Sequence, residues 1–153
     1  MIKYKYTIEY REDFNEVILD FDIDKSLENG YLISNSLGSD IFGDLNIVKE
    51  EVDKLYGLLL GKGTLIKSGG NVNLINSDKD FTTIEDIYSE GDEEDIICRV
   101  ETIEFIKIIL IWAKENFEYK KQRGVLTEEK AIKAINWAEQ KWIQIIEFDS
   151  IQK

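Results

Sequence analysis

The sequence contains no histidine, and this absence excludes several reaction classes. Imidazole is the usual general base near neutral pH, the usual partner of a nucleophilic serine or cysteine, and the commonest ligand of transition metals. A Ser-His-Asp triad, a Cys-His pair and a histidine-based zinc site are therefore impossible within this chain. Only carboxylate, lysine, tyrosine or backbone chemistry remains. We predict no catalytic residue, no metal site and no cofactor.

Cysteine is scarce and proline is absent. Cys98 is the single cysteine, so the chain can form no internal disulfide, and its apolar neighbours predict a small buried thiol in a strand. The first residues lack the apolar run of a secretory signal, and the longest apolar run, residues 108–113, is too short to cross a bilayer. We therefore expect a cytoplasmic protein. Without proline the usual linker signal is missing, and residues 1–153 are expected to form a single domain.

Acidic residues outnumber basic ones and are unevenly placed. The chain has 31 Asp and Glu against 19 Lys and Arg, a net charge of −12. Residues 1–101 carry a net charge of −13 and residues 102–153 a net charge of +1. A surface of this sign repels phosphate backbones and anionic lipids, so we expect neither nucleic-acid nor membrane binding.

Hydrophobic periodicity predicts an α+β fold in which strands come first. Residues 3–11 and 15–24 alternate apolar and polar side chains, the pattern of two half-buried strands, and together they predict an antiparallel hairpin. Residues 31–35 predict a third strand. Apolar residues at helical spacing predict an amphipathic helix over residues 45–60, capped by Asp44 and ended by Gly61.

The remaining elements complete an antiparallel sheet with one inserted helix and two C-terminal helices packed on it. Four short strands are predicted over residues 64–67, 71–76, 81–88 and 95–100. A long helix follows to residue 122, and because its apolar residues cover more than one face it must be buried on two sides. Thr127 is placed to cap the last helix, which we expect to pack against the long one.

Two groups of carboxylates are the candidate partner-binding residues. On a strand over residues 15–24, Asp20, Asp22 and Asp24 would share one face about 7 Å apart, and such a row needs water, a cation or a basic partner. Lys25 stands where a calcium loop requires glycine, which argues against a calcium site. The second group lies in a predicted acidic loop and comprises Glu90, Asp92, Glu93, Glu94 and Asp95. The alternative is that these charges only keep the protein soluble.

The chain as a whole resembles the immunity proteins of bacterial polymorphic or contact-dependent toxin systems. The resemblance is carried by the strand-forming residues 4–10, the acidic stretch that ends at residues 95–101, and the helix over residues 102–114. It implies a small, non-catalytic cytoplasmic inhibitor that binds one cognate toxin, often a nuclease, and blocks its active site or substrate face. It implies no cofactor.

Two other classes of function remain open at this stage. The chain could be a non-catalytic accessory or regulatory domain that binds a protein without toxicity. It could also be a histidine-free enzyme that uses carboxylates and tyrosine, in which case it would show turnover. A neighbouring reading frame that encodes a large protein with a basic C-terminal domain would favour the inhibitor.

Overall fold

A computed structural model describes residues 2–87 and 96–152 of the chain and has an α+β fold, as predicted. The strands form two antiparallel sheets, one with the order β1-β2 and one with the order β3-β4-β5-β6. The elements are β1 (Thr7–Arg11), β2 (Glu16–Asp20), α1 (Tyr31–Ser36), α2 (Leu45–Leu59), β3 (Ile66–Gly69), β4 (Asn73–Ser77), β5 (Phe81–Asp86), β6 (Ile97–Glu101), α3 (Thr102–Gln122) and α4 (Glu128–Gln152).

The central element is α3, which packs against α2, α4 and β2. Its side chains are buried on several faces, as its apolar content predicts. Two of its polar side chains hold β2 in place: Trp112 Nε1 donates to the carbonyl oxygen of Val17 at 2.9 Å, and the backbone N–H of Val17 donates to Asn116 Oδ1 at 2.8 Å. The predicted pairing of the last two helices is confirmed. The backbone N–H of Lys130 donates to the Thr127 hydroxyl at 3.3 Å, the predicted cap of α4.

The prediction of a strand over residues 31–35 is wrong, because this segment is the helix α1. Leu32, Ile33 and Ser36 are buried, and their spacing places them on one face of a helix. The β-forming residues Tyr31 and Ile33 suggested a strand, but burial against β2 and β5 outweighs that weak preference.

The four-stranded sheet lies close to its predicted positions, with a shift of two residues in the first hairpin. Gly69 has a φ of +83°, and a Cβ atom there would lie 2.4 Å from the carbonyl oxygen of Asn73. Only glycine fits this turn, which explains why the Gly69-Gly70 pair marks it. Cys98 packs in the core on β6, as expected, and burial raises the pKa of its thiol to about 12.

No helix within the described ranges combines the length and the apolar character that crossing a bilayer requires.

Candidate functional site

A groove of about 590 Å³ lies between the outer face of the β1–β2 hairpin and α1. We call it the acidic groove. Its chemistry is set by the carboxylates of Glu9, Glu16, Asp20 and Asp22, the guanidinium of Arg11, and the apolar side chains of Phe14, Ile18 and Tyr31.

The register of the hairpin explains why these carboxylates meet. Val17 and Leu19 are buried against the core, so the alternating residues of β2, Glu16, Ile18 and Asp20, face the other way. Across the hairpin Glu9 stands opposite Ile18 and Arg11 stands opposite Glu16, which adds their side chains to the same face. The groove face is therefore the polar face of an amphipathic hairpin.

The acidic groove has a net formal charge of −3, from four carboxylates and one guanidinium. Arg11 Nε lies 3.0 Å from Glu9 Oε1, but both side chains are about half exposed, so the pair contributes little to stability. Phe14 at the hairpin tip is 68% exposed. Exposed aromatic side chains are enriched at protein interfaces, so the ring of Phe14 makes this open, negatively charged face a candidate binding surface.

Of the first predicted group of carboxylates, the structure places Asp20 and Asp22 in the acidic groove but not Asp24. The predicted strand is too long, because β2 ends at Asp20, whose Oδ1 accepts the backbone N–H of Asp22 at 2.9 Å and begins a turn. The three side chains therefore do not form one row on a strand.

Asp24 is 9% exposed, and its side chain is bonded within the protein. Its carboxylate accepts the backbone N–H of Lys5 at 2.6 Å, and both the backbone N–H and the hydroxyl of Ser26, at 2.9 and 2.6 Å. These hydrogen bonds, first those from Ser26, lower the pKa of Asp24. Asp24 thus joins the segment before β1 to the turn that follows β2.

The second predicted group, Glu90, Asp92, Glu93, Glu94 and Asp95, lies outside the described residues.

Glu9 and Glu16 were missed at the sequence level. The predicted hairpin could have identified them, because pairing residues 3–11 with residues 15–24 brings polar positions of both strands to one face. Tyr31 was missed for a different reason: its position depends on α1 being a helix.

A buried ion cluster lies away from the acidic groove, at the N-terminal end of α3. Lys107, 4% exposed, has its Nζ 2.9 Å from Glu104 Oε2 and 2.7 Å from Asp149 Oδ2 on α4. Glu104 also accepts the backbone N–H of Lys3. Burial opposes the charge on Lys107, but the hydrogen bonds from its ammonium to Asp149 and Glu104 prevail and raise its pKa. The cluster ties α4 and the N-terminal segment to α3.

Within residues 2–87 and 96–152, no three or more histidine, cysteine, aspartate or glutamate side chains are arranged to bind a metal ion.

The fold and the groove define a small α+β protein in which four carboxylates share one open face of a hairpin. Over 95 residues the chain is 32% identical to a protein of Bacillus cereus named as an immunity protein, a match that spans 61% of this chain and 76% of that protein. The chain belongs to the family of that immunity protein. No protein-family model and no solved structure matches it.

Proposed function

We propose that this chain is an immunity protein that binds and neutralises one cognate bacterial toxin in the cytoplasm. The observation that carries the proposal is its membership of the family of the Bacillus cereus immunity protein. Neutralisation by binding needs no catalytic group, which is consistent with a chain that contains no histidine. The toxin is held stoichiometrically rather than turned over.

We further propose that the toxin is basic and of the nuclease type. An enzyme that acts on nucleic acid must present lysine and arginine side chains to the phosphate backbone. The acidic groove, with four carboxylates and one guanidinium, is complementary to such a surface. An inhibitor that occupies those cations competes directly with the nucleic acid.

The centre of the proposed interface is formed by Glu9, Glu16, Asp20 and Asp22. Asp24 supports it by holding the turn after β2. We include the second acidic group in the proposed surface because of its negative charge alone. This group comprises Glu90, Asp92, Glu93, Glu94 and Asp95. Carboxylates placed close together repel one another in the free protein, and lysine or arginine from the toxin relieves this repulsion.

The experiment is a binding titration with the C-terminal domain of the protein encoded by the neighbouring reading frame. We expect a one-to-one complex whose association rate falls about tenfold or more between low and physiological salt, because complementary charge accelerates encounter and salt screens it. Stopped-flow fluorescence anisotropy of a dye-labelled toxin domain measures the rate. A complex whose association rate is independent of salt would contradict the electrostatic part of the proposal.

A further inference from the structure

The strand β1 lies at the edge of its sheet. It pairs with β2 on one side, and on its other side no strand of the described ranges pairs with it. All five residues of β1 are exposed. An edge strand of this kind offers unpaired backbone groups to another chain.

The contacts of Val17 identify which backbone groups of β1 face outward. Both the N–H and the C=O of Val17 bond to side chains of α3, and therefore point away from β1. In an antiparallel pair, opposite residues exchange both hydrogen bonds or neither. Tyr10 stands opposite Val17, so the N–H and C=O of Tyr10 point away from β2. Hydrogen-bonded and non-hydrogen-bonded pairs alternate along the strands, so the N–H and C=O of Ile8, which stands opposite Leu19, also point away from β2.

The same alternation appears further along β2. The backbone N–H of Phe21, four residues after Val17, also bonds away from β1, to the Ser34 hydroxyl at 3.2 Å. The free edge of β1 thus presents two N–H donors and two C=O acceptors, from Ile8 and Tyr10. This two-residue repeat is the one that an added strand requires.

We propose that β1 pairs with an extended, cationic segment of the toxin, which adds a third strand to the β1–β2 sheet. This inference rests on the proposed immunity function and names the mode of binding. The backbone edge supplies sequence-independent hydrogen bonds, and the neighbouring carboxylates select the partner.

The charge near β1 favours a toxin segment over a second copy of this chain as the strand that pairs with β1. The Tyr10 hydroxyl lies 3.5 Å from Glu115 Oε2, and Tyr10 is also within the electrostatic influence of Glu118. Both carboxylates belong to α3 and lie near the Tyr10 side chain of β1. Two copies joined through β1 would bring these carboxylates together, each on a chain with a net charge of −12. A strand that carries lysine or arginine is attracted to the same position.

The test uses proline to remove one outward N–H. Ile8→Pro deletes the donor on the free edge and leaves the hydrogen bonds to β2 intact, because proline is tolerated on the solvent side of an edge strand. We expect the affinity for the toxin domain to fall about tenfold, since a carbonyl of the docked strand loses its donor. Ile8→Ala is the matched control for the side chain and is expected to bind more tightly than Ile8→Pro. Thr7→Pro removes an N–H that the same alternation directs toward β2, outside the acidic groove, and is expected to lower the melting temperature.

Amide hydrogen exchange gives a second readout without a substitution. In the free chain the amides of Ile8 and Tyr10 are expected to exchange fast and that of Glu9 slowly. In the complex all three are expected to be protected. Slow exchange at Ile8 and Tyr10 in the free monomer would overturn the proposal, because the edge would already be paired. Protection that depends on self-association, measured by light scattering, would assign the edge to a second copy instead.

The outcomes separate this inference from the function on which it rests. If Ile8→Pro is folded and binds the toxin domain as tightly as the unaltered chain, the added strand is wrong and the immunity function stands. If the unaltered chain forms no complex with the toxin domain, the immunity function fails, and the inference fails with it.

Discussion

Changing Glu16 and Asp22 together to lysine is expected to weaken binding of the toxin domain by several kcal/mol. Both carboxylates line the acidic groove, and neither accepts a hydrogen bond from the described part of the chain. Close charge pairs at an interface contribute about 1.5 to 7 kcal/mol each, and reversal replaces attraction with repulsion. Titration calorimetry measures the change.

The matched control is Glu129→Lys with Glu147→Lys. Both residues are exposed on α4, which packs on α3 away from the groove, and this pair of changes alters the net charge by the same amount. We expect it to leave affinity nearly unchanged apart from a slower association. Thermal melts of both variants separate lost binding from lost folding. Equal losses in the two variants would mean that overall charge, and not the acidic groove, governs binding.

Replacing Lys107 with alanine is expected to destabilise the protein by about 3 to 5 kcal/mol, since removing one partner leaves a buried charge uncompensated. Glu104, 6% exposed, would lose the ammonium that lies 2.9 Å from its carboxylate. Urea unfolding followed by tryptophan fluorescence measures the change. Lys114→Ala is the control, because its pair with Glu139 is about half exposed and is expected to contribute less than about 1 kcal/mol.

The same cluster predicts a dependence on alkaline pH. The pKa of Lys107 is raised above the ordinary lysine value of 10.5, so its contribution is fully present below that value and is lost as pH rises through the folded-state pKa. The stability of Lys107→Ala should therefore fall less steeply than that of the unaltered chain in strongly alkaline solution. Parallel curves would indicate that Lys107 does not stabilise the fold through its charge.

Local signals predicted the helices that have clear ends. α2 begins after Asp44, as predicted, but the Asp44 side chain makes no capping hydrogen bond, so that part of the prediction is wrong. α2 ends just before Gly61, and α3 ends where Gly124 interrupts its apolar pattern. The segment of α1 has no such signal. Its six residues are helical because the surrounding core buries one face, and this depends on residues distant in sequence.

The candidate site was predictable only where it depends on pairing within the hairpin. Asp20 was found because strand alternation exposes one face of β2, whereas Asp22 lies in the turn after β2, although a longer strand was predicted there. The different position of Asp24 depends on a turn held by hydrogen bonds from Lys5 and Ser26, and the former is distant in the chain. The outward orientation of the backbone groups on the free edge of β1 follows from the contacts of Val17 with α3. These contacts join residues about a hundred positions apart and could not be predicted from local sequence.

The most direct measurement of the central claim is growth of bacteria that express the neighbouring toxin domain together with this chain. The account predicts that the unaltered chain restores growth, that Glu16→Lys with Asp22→Lys does not, and that Glu129→Lys with Glu147→Lys does, at equal levels of folded protein. Growth arrest that persists in the presence of the folded, unaltered chain would contradict the immunity function.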